Sequence, residues 1–205
     1  MIYVMIVLSA SVFIGAMNCL FALPTFDGDV WRVVFSVAMS VIAAILIDGI
    51  FATIVRWILP KKWFSLDKKR FAAGRRERRF YERLGIKKWK DKVIELGCFT
   101  GFRKNRIAEP ANNEYIGRYI IEANYGIVVH IACMFCGYLV CLLFPAHWYS
   151  VGVPVGFVNM MLNLFPLMIL RYNLPKLHSL YRFNLKREKE NKTDMRKEKE
   201  PSLIA

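Results

Sequence analysis

The sequence predicts an all-α integral membrane protein: a four-helix transmembrane bundle with a basic, interfacial cytosolic loop. Three observations predict it. The chain of 205 residues is 56% hydrophobic yet carries a formal net charge of +14. Its apolar residues gather into four runs, 2–24, 33–58, 126–145 and 151–170, each long enough at helical rise to cross a hydrocarbon core of about 30 Å. The basic residues lie almost entirely between and after those runs.

The first run has no charged side chain. It lacks the basic leading segment and the small-residue cleavage site of a signal peptide, so it reads as a retained helix. The second run is interrupted by Asp48 and Arg56. Residues 59–125 form a loop too long for a passive connector. Within it, "RRERRFYERLGIKKWKDKVIEL" interleaves Phe80, Tyr81, Leu84, Trp89 and Val93 with Arg and Lys. That composition suits a helix in the headgroup layer, broken near Gly85, with the basic residues meeting anionic lipid. After the third and fourth runs comes a mixed-charge tail, 184–205, that reads as a frayed helix or as disordered. Residues 1–183 are thus the membrane domain.

Charge sets the orientation. Residues 59–125 hold 18 Lys and Arg against 8 Asp and Glu, and residues 171–205 hold 10 against 5. The short connections at 24–32 and 145–150 carry one basic residue between them, Arg32. The positive-inside rule then places both termini and the large loop in the cytosol. Membrane topology accounts for the positive charge, and no nucleic-acid-binding motif is present, so nucleic acid is not expected as a partner. Four of the five cysteines (19, 133, 136 and 141) fall in predicted spans and Cys98 in the loop. Cys133 and Cys136 read as buried thiols, and no metal site is expected.

Each span carries one stripe of small and polar residues at helical spacing: Ser11, Gly15, Asn18 and Ala22; Ser40, Ala44, Asp48 and Ala52; Gly126, His130, Cys133, Gly137 and Cys141; Gly152, Gly156, Asn159, Asn163 and Pro166. Lipid accepts apolar side chains, so these stripes face inward. Asp48 and Asn159 fall at similar depth, about 15 and 18 Å from the cytosolic ends of their spans at helical rise. They can hydrogen-bond across helices, as glue between them or, with Asp48 as an ionisable group, in a permeation path. His130 lies one turn inside the third span and Arg171 at the end of the fourth, which puts both in one layer at the cytosolic edge. His130 is either a packing residue or a base for a hydroxyl. Pro166 bends the fourth helix and Pro175 ends it.

Three stretches resemble the bacterial glycosyl-4,4'-diaponeurosporenoate acyltransferases: "LGIKKWKDKV" (84–93) with "GFRK" (101–104), "IIEANYGIVVH" (120–130) and "NLFPLMILRYNLPKL" (163–177). They cover roughly half the chain, and the third is the most specific. Two of the pattern's positions, a glutamate and a tryptophan, are Ile127 and Ile131 here. The resemblance implies an enzyme of the bacterial cytoplasmic membrane that moves a fatty acyl group onto a sugar hydroxyl of a glycosylated carotenoid. The expected catalytic residues are His130 as base, Glu122 or Asp91 to orient it, and Arg171 or Lys90 at the oxyanion or the donor phosphate. Trp89, Lys90, Arg103, Lys104, Asn163, Tyr172 and Asn173 are the expected substrate contacts. No cofactor is expected beyond an acyl-CoA-type co-substrate, whose phosphates the GFRK stretch and Lys90 would hold. The alternative is a non-enzymatic membrane adaptor whose basic loop recruits a partner or lipid.

Overall fold

The computed structural model describes residues 2–64, 66, 69–93 and 107–199. Four helices are long and apolar enough to span a membrane. α1 is Ile2–Phe21 and α2 is Val30–Ile58. The short α3, Arg75–Arg83, and α4, Ile86–Trp89, follow. α5, Asn113–Cys136, passes through 3-10 and π-helical turns into α6, Val153–Lys199.

The bundle is apolar outside and polar within. Val4, Leu8, Val12, Leu20, Ile45, Leu46 and Trp57 stand exposed, as a lipid-facing surface requires. Asn18, Ser40, Ala44, Asn159 and Asn163 are buried, and no residue of the four stripes is fully exposed. The α5–α6 pair is antiparallel and close. Gly137 permits the approach that matters most: a Cβ there would lie 2.3 Å from Asn159 Nδ2. One apolar core joins Ile116, Ile120, Ala123 and Ile127 of α5 to Leu167, Leu174 and Leu177 of α6. A second joins α1, α2 and the start of α6 through Ile14, Val33, Val37, Val151 and Val155.

Helix ends follow their caps. The Asp29 side chain accepts from Trp31 N at 2.8 Å, starting α2. Asn112 Oδ1 accepts from Glu114 N and Tyr115 N, so α5 starts at residue 113, well before the apolar run at 126. The chain between α3 and α4 breaks at Gly85, where φ is +68°, a left-handed conformation that glycine adopts without a Cβ penalty.

α6 corrects the sequence reading. The helix does not stop at Arg171 or at Pro175, and it carries the tail to Lys199. A proline removes the N–H that would bond the carbonyl four residues back. Here each such carbonyl is met by a donor from another element. Four residues before Pro154, Ser150 O accepts from Asn18 Nδ2 at 2.9 Å. Four before Pro166, Leu162 O accepts from the Tyr3 hydroxyl at 3.2 Å. Four before Pro175, Arg171 O accepts from Ala73 N at 3.0 Å. With the orphaned acceptors satisfied, the helix tolerates its prolines.

The loop folds back on this framework. Phe64 is buried with its ring 4.0 Å from that of Tyr125, whose hydroxyl donates to Leu59 O. Tyr81 and Ile86 pack with Met168, Ile169 and Tyr172 of α6. Trp89 joins them, meeting Phe165 edge-on at 5.4 Å.

Candidate active site

Three helices deliver polar side chains to one point inside the bundle. The α2 stripe brings Asp48, α5 brings His130, and α6 brings Asn159 and Asn163 one turn apart. Asp48 Oδ1 accepts from Asn159 Nδ2 at 3.1 Å, and Asp48 Oδ2 accepts from Asn163 Nδ2 at 2.8 Å. Both amides also donate to backbone, Asn159 to Cys133 O and Asn163 to Asn159 O. On its other side, Asn163 Oδ1 lies 2.9 Å from His130 Nδ1. Cys133 Sγ donates to Asp48 O at 3.7 Å.

The chain of bonds fixes a tautomer. A backbone carbonyl only accepts, so the amide nitrogen of Asn163, which bonds Asn159 O as well as Asp48, lies on that side and its oxygen must face His130. That oxygen also only accepts, so Nδ1 of His130 carries the proton. The lone pair of neutral His130 is then on Nε2, which has no hydrogen-bond partner among the described residues. Asp48 is thus held by two N–H donors, which answers the cost of a carboxylate at membrane depth. A small, mainly apolar cleft of ≈ 40 Å³ reaches this cluster at Asn159, lined by Ala10, Ile14, Val41, Ala44 and Leu162.

A second cluster forms where α3 docks on α6. Arg171 makes a two-pronged pair with Glu77, Nε to Oε1 at 2.6 Å and Nη2 to Oε2 at 2.7 Å. Tyr81 donates its hydroxyl to the same carboxylate. The Arg171 hydrogen bonds hold the Glu77 carboxyl below its usual range, against the opposing effect of partial burial. Burial, reinforced by the Glu77 carboxylate, pushes the Tyr81 phenol up to about 12. Nearby, Tyr172 donates to Glu82 Oε1 at 3.0 Å and Lys87 pairs with that oxygen at 3.2 Å. These bonds, Lys87 first, lower the Glu82 carboxyl.

The residues expected from sequence therefore divide. His130 and Asn163 meet, and the residue that organises them is Asp48. Arg171 does not share their layer: it turns to Glu77, and it follows Asn163 by eight residues, about 12 Å at helical rise. Glu122 does not reach His130 either. Its Oε2 binds Arg56 at 2.6 Å, tying α5 to α2. Asp91 is exposed in the turn Lys90–Lys92. Trp89 is fixed by Nε1 donating to Leu84 O and by Phe165. Tyr172 is fully buried, and Asn173 is half-buried on α6. Arg103, Lys104 and Cys98 lie outside the described residues. Glu77, Glu82 and Arg56 carry no sequence signal beyond charge in a basic region, although Glu77 and Tyr81 do share a helix face at i, i+4. Cys19, Cys133, Cys136 and Cys141 are free thiols. Among the described residues no group of three or more His, Cys, Asp or Glu could hold a metal ion.

A family model described as glycosyl-4,4'-diaponeurosporenoate acyltransferase matches residues 60–182. The match contains His130, Asn163, Arg171 and Glu77, and leaves Asp48 outside. No curated protein and no solved structure matches the chain.

Proposed function

This chain belongs to the glycosyl-4,4'-diaponeurosporenoate acyltransferase family, membrane-associated acyltransferases of carotenoid biosynthesis, and from that premise we propose that it esterifies a hydroxyl of a lipid-like, glycosylated acceptor, with His130 as general base. The observation that carries the reading is the Asp48–Asn163–His130 chain, which leaves Nε2 bare. Nε2 takes the proton of the acceptor hydroxyl as its oxygen attacks the acyl carbonyl carbon of an acyl-CoA-type thioester. The tetrahedral oxyanion then collapses, the C–S bond breaks, and the departing sulfur takes the proton from Nε2. Asp48 keeps Asn163 in the orientation that this tautomer needs, and the negative carboxylate steadies the imidazolium formed in passing.

Arg171 has a different part in this reading. Its guanidinium is engaged by Glu77, so it holds the cytosolic loop on α6 and is a positioning residue. The chemistry takes place at the cytosolic half of the membrane, where the charge distribution puts the loop and both termini.

The test is His130→Ala in membranes that supply the acceptor and the donor. Mass spectrometry of extracted lipids should show the acylated glycolipid with the native chain and its loss, by at least about 10²-fold, with the variant at equal protein level. Undiminished product from His130→Ala would remove the proposed base and favour a non-enzymatic adaptor.

A further inference from the structure

Four basic side chains crowd the Tyr172 end of the loop–α6 contact, and one carboxylate answers them. Arg78 Cζ lies 5.6 Å from the Tyr172 ring centroid and Lys176 Nζ lies 5.2 Å from it. Lys87 is held beside the same tyrosine through Glu82. Lys90, Arg78 and Lys87 are all close enough to repel the charge of Lys176. Arg78, Lys87, Lys90 and Lys176 against Glu82 leave a local charge of +3. Neither Arg78 nor Lys176 pairs with a carboxylate among the described residues, and Arg78 Nε is buried with no acceptor. The adjoining Arg171 is neutralised by Glu77 and adds nothing to this field.

The cluster is built rather than incidental. Tyr172 is 0% exposed and anchors it. Arg78 belongs to α3, Lys87 to α4 and Lys176 to α6, so folding gathers like charges from three elements. Such crowding is unfavourable until an anion enters, and a phosphate offers several acceptor oxygens to such donors.

We propose that Arg78, Lys87, Lys90 and Lys176 form a phosphate site that receives the phosphate-bearing end of the acyl donor. The assignment rests on the acyl-transfer reading above for the donor's identity and on the charge cluster alone for the phosphate. Spacing supports a donor with a long arm. Lys176 follows Asn163 by thirteen residues, about 20 Å along α6. An extended phosphopantetheine thioester places its phosphate and its acyl carbon about one such span apart, so the phosphate rests at the cluster while the carbonyl reaches His130. A membrane phospholipid carries the same phosphate close to its own ester bonds, and its headgroup is the other source of this anion.

Full-length protein in phosphatidylcholine nanodiscs, with coenzyme A as the probe, tests the site. At low salt the native protein should bind coenzyme A, and Arg78→Ala/Lys176→Ala should weaken binding by about tenfold or more with a smaller salt dependence. Arg78→Lys/Lys176→Arg should retain most of it, and Lys189→Ala/Lys192→Ala, which removes two charges elsewhere, should leave it unchanged. A parallel arm measures phosphatidylglycerol retained after purification. Lipid retained by the native chain and lost from the Ala pair, with no binding of coenzyme A, keeps the phosphate site and makes a headgroup its occupant. Equal behaviour of native and Ala-pair proteins in both arms overturns the proposal, as does an equal loss in the Lys189/Lys192 control. His130→Ala should bind coenzyme A normally, so failure of the transfer reading leaves this result intact and the converse also holds.

Discussion

At the scale of single residues, the decisive contacts are two hydrogen bonds that run from the Asp48 carboxylate through the Asn163 amide to the His130 imidazole. Asp48→Asn tests them. An asparagine presents one donor and one acceptor where two acceptors stood, so only the bond to Asn159 O still opposes Asn163 turning its N–H toward His130. Nδ1 must then accept, and the proton moves to Nε2, the atom that must be bare. The expected result is a fall in kcat of about 10²–10⁴-fold, the range of a general base, with KM little changed and the protein still folded. A change in KM alone, or none in either constant, would mean that Asp48 only glues helices. Much of this was legible in sequence. Ser40, Ala44 and Asp48 mark one face by spacing, and the similar depth of Asp48 and Asn159 anticipates their bond of 3.1 Å. The link to His130 was hidden because depth along the third span was counted from the start of the apolar run. The helix begins at Asn113, so His130 sits deeper than its hydropathy suggests and meets Asn163 instead of Arg171.

Also at this scale, Glu77 ties pH to the docking of the loop. Its carboxyl is lowered by Arg171, so the folded pKa lies below the unfolded value of about 4.3. The stabilisation is therefore fully present above that unfolded value and is lost as pH falls through the depressed folded one. Glu77→Gln removes two charge-assisted bonds, each partly exposed, worth roughly 1–3 kcal/mol together. Limited proteolysis should cut near residues 74–84 faster in the variant at neutral pH, and in the native chain only under acid conditions. Equal cutting rates at pH 7 would show that the Tyr81, Ile86 and Trp89 packing holds the loop unaided.

At the scale of elements, α6 is both a membrane span and the post on which the other parts hang. Pro154, Pro166 and Pro175 each leave a carbonyl open, and the donors that fill them come from α1, α1 and the loop. The sequence reading took Pro175 as a stop because a proline alone, without knowledge of distant donors, breaks an isolated helix. Ala73 N supplies the missing bond across nearly a hundred residues, and such a partner has no local signature. The prolines thus turn helix defects into sockets. Pro175→Ala restores an N–H that competes for Arg171 O. Hydrogen exchange at Ala73 should then quicken by about tenfold for each 1.4 kcal/mol of lost protection, while α6 itself becomes no less stable. Unchanged exchange at Ala73 would mean that Glu77–Arg171 alone holds the segment. Pro166, by contrast, was readable as a helix irregularity inside the span, and the four spans themselves were readable because apolar runs of membrane length are hard to hide.

At the scale of the molecule, the arrangement makes sense in one orientation only. A buried relay lies in the bundle, a cationic cluster lies at one end of it, and α6 runs from one to the other. A soluble phosphate-bearing donor reaches the cluster only if that end faces the cytosol. The charge bias of 18 to 8 in residues 59–125 and 10 to 5 in residues 171–205 predicts that it does. The opposite end of the bundle carries Asp27 and Asp29 beside Arg32, with both carboxylates within reach of its guanidinium. Single cysteines placed at Gly28 and at Lys61, in a chain whose native cysteines are replaced by alanine or serine, report the two faces. A membrane-impermeant maleimide added to intact cells should label the Gly28→Cys protein and spare the Lys61→Cys protein until the membrane is opened. The reverse pattern would put the Arg78–Lys176 cluster on the outer face, out of reach of a cytosolic thioester. In that case the phosphate there would have to come from lipid, and the His130 base would need an acyl donor delivered from within the bilayer.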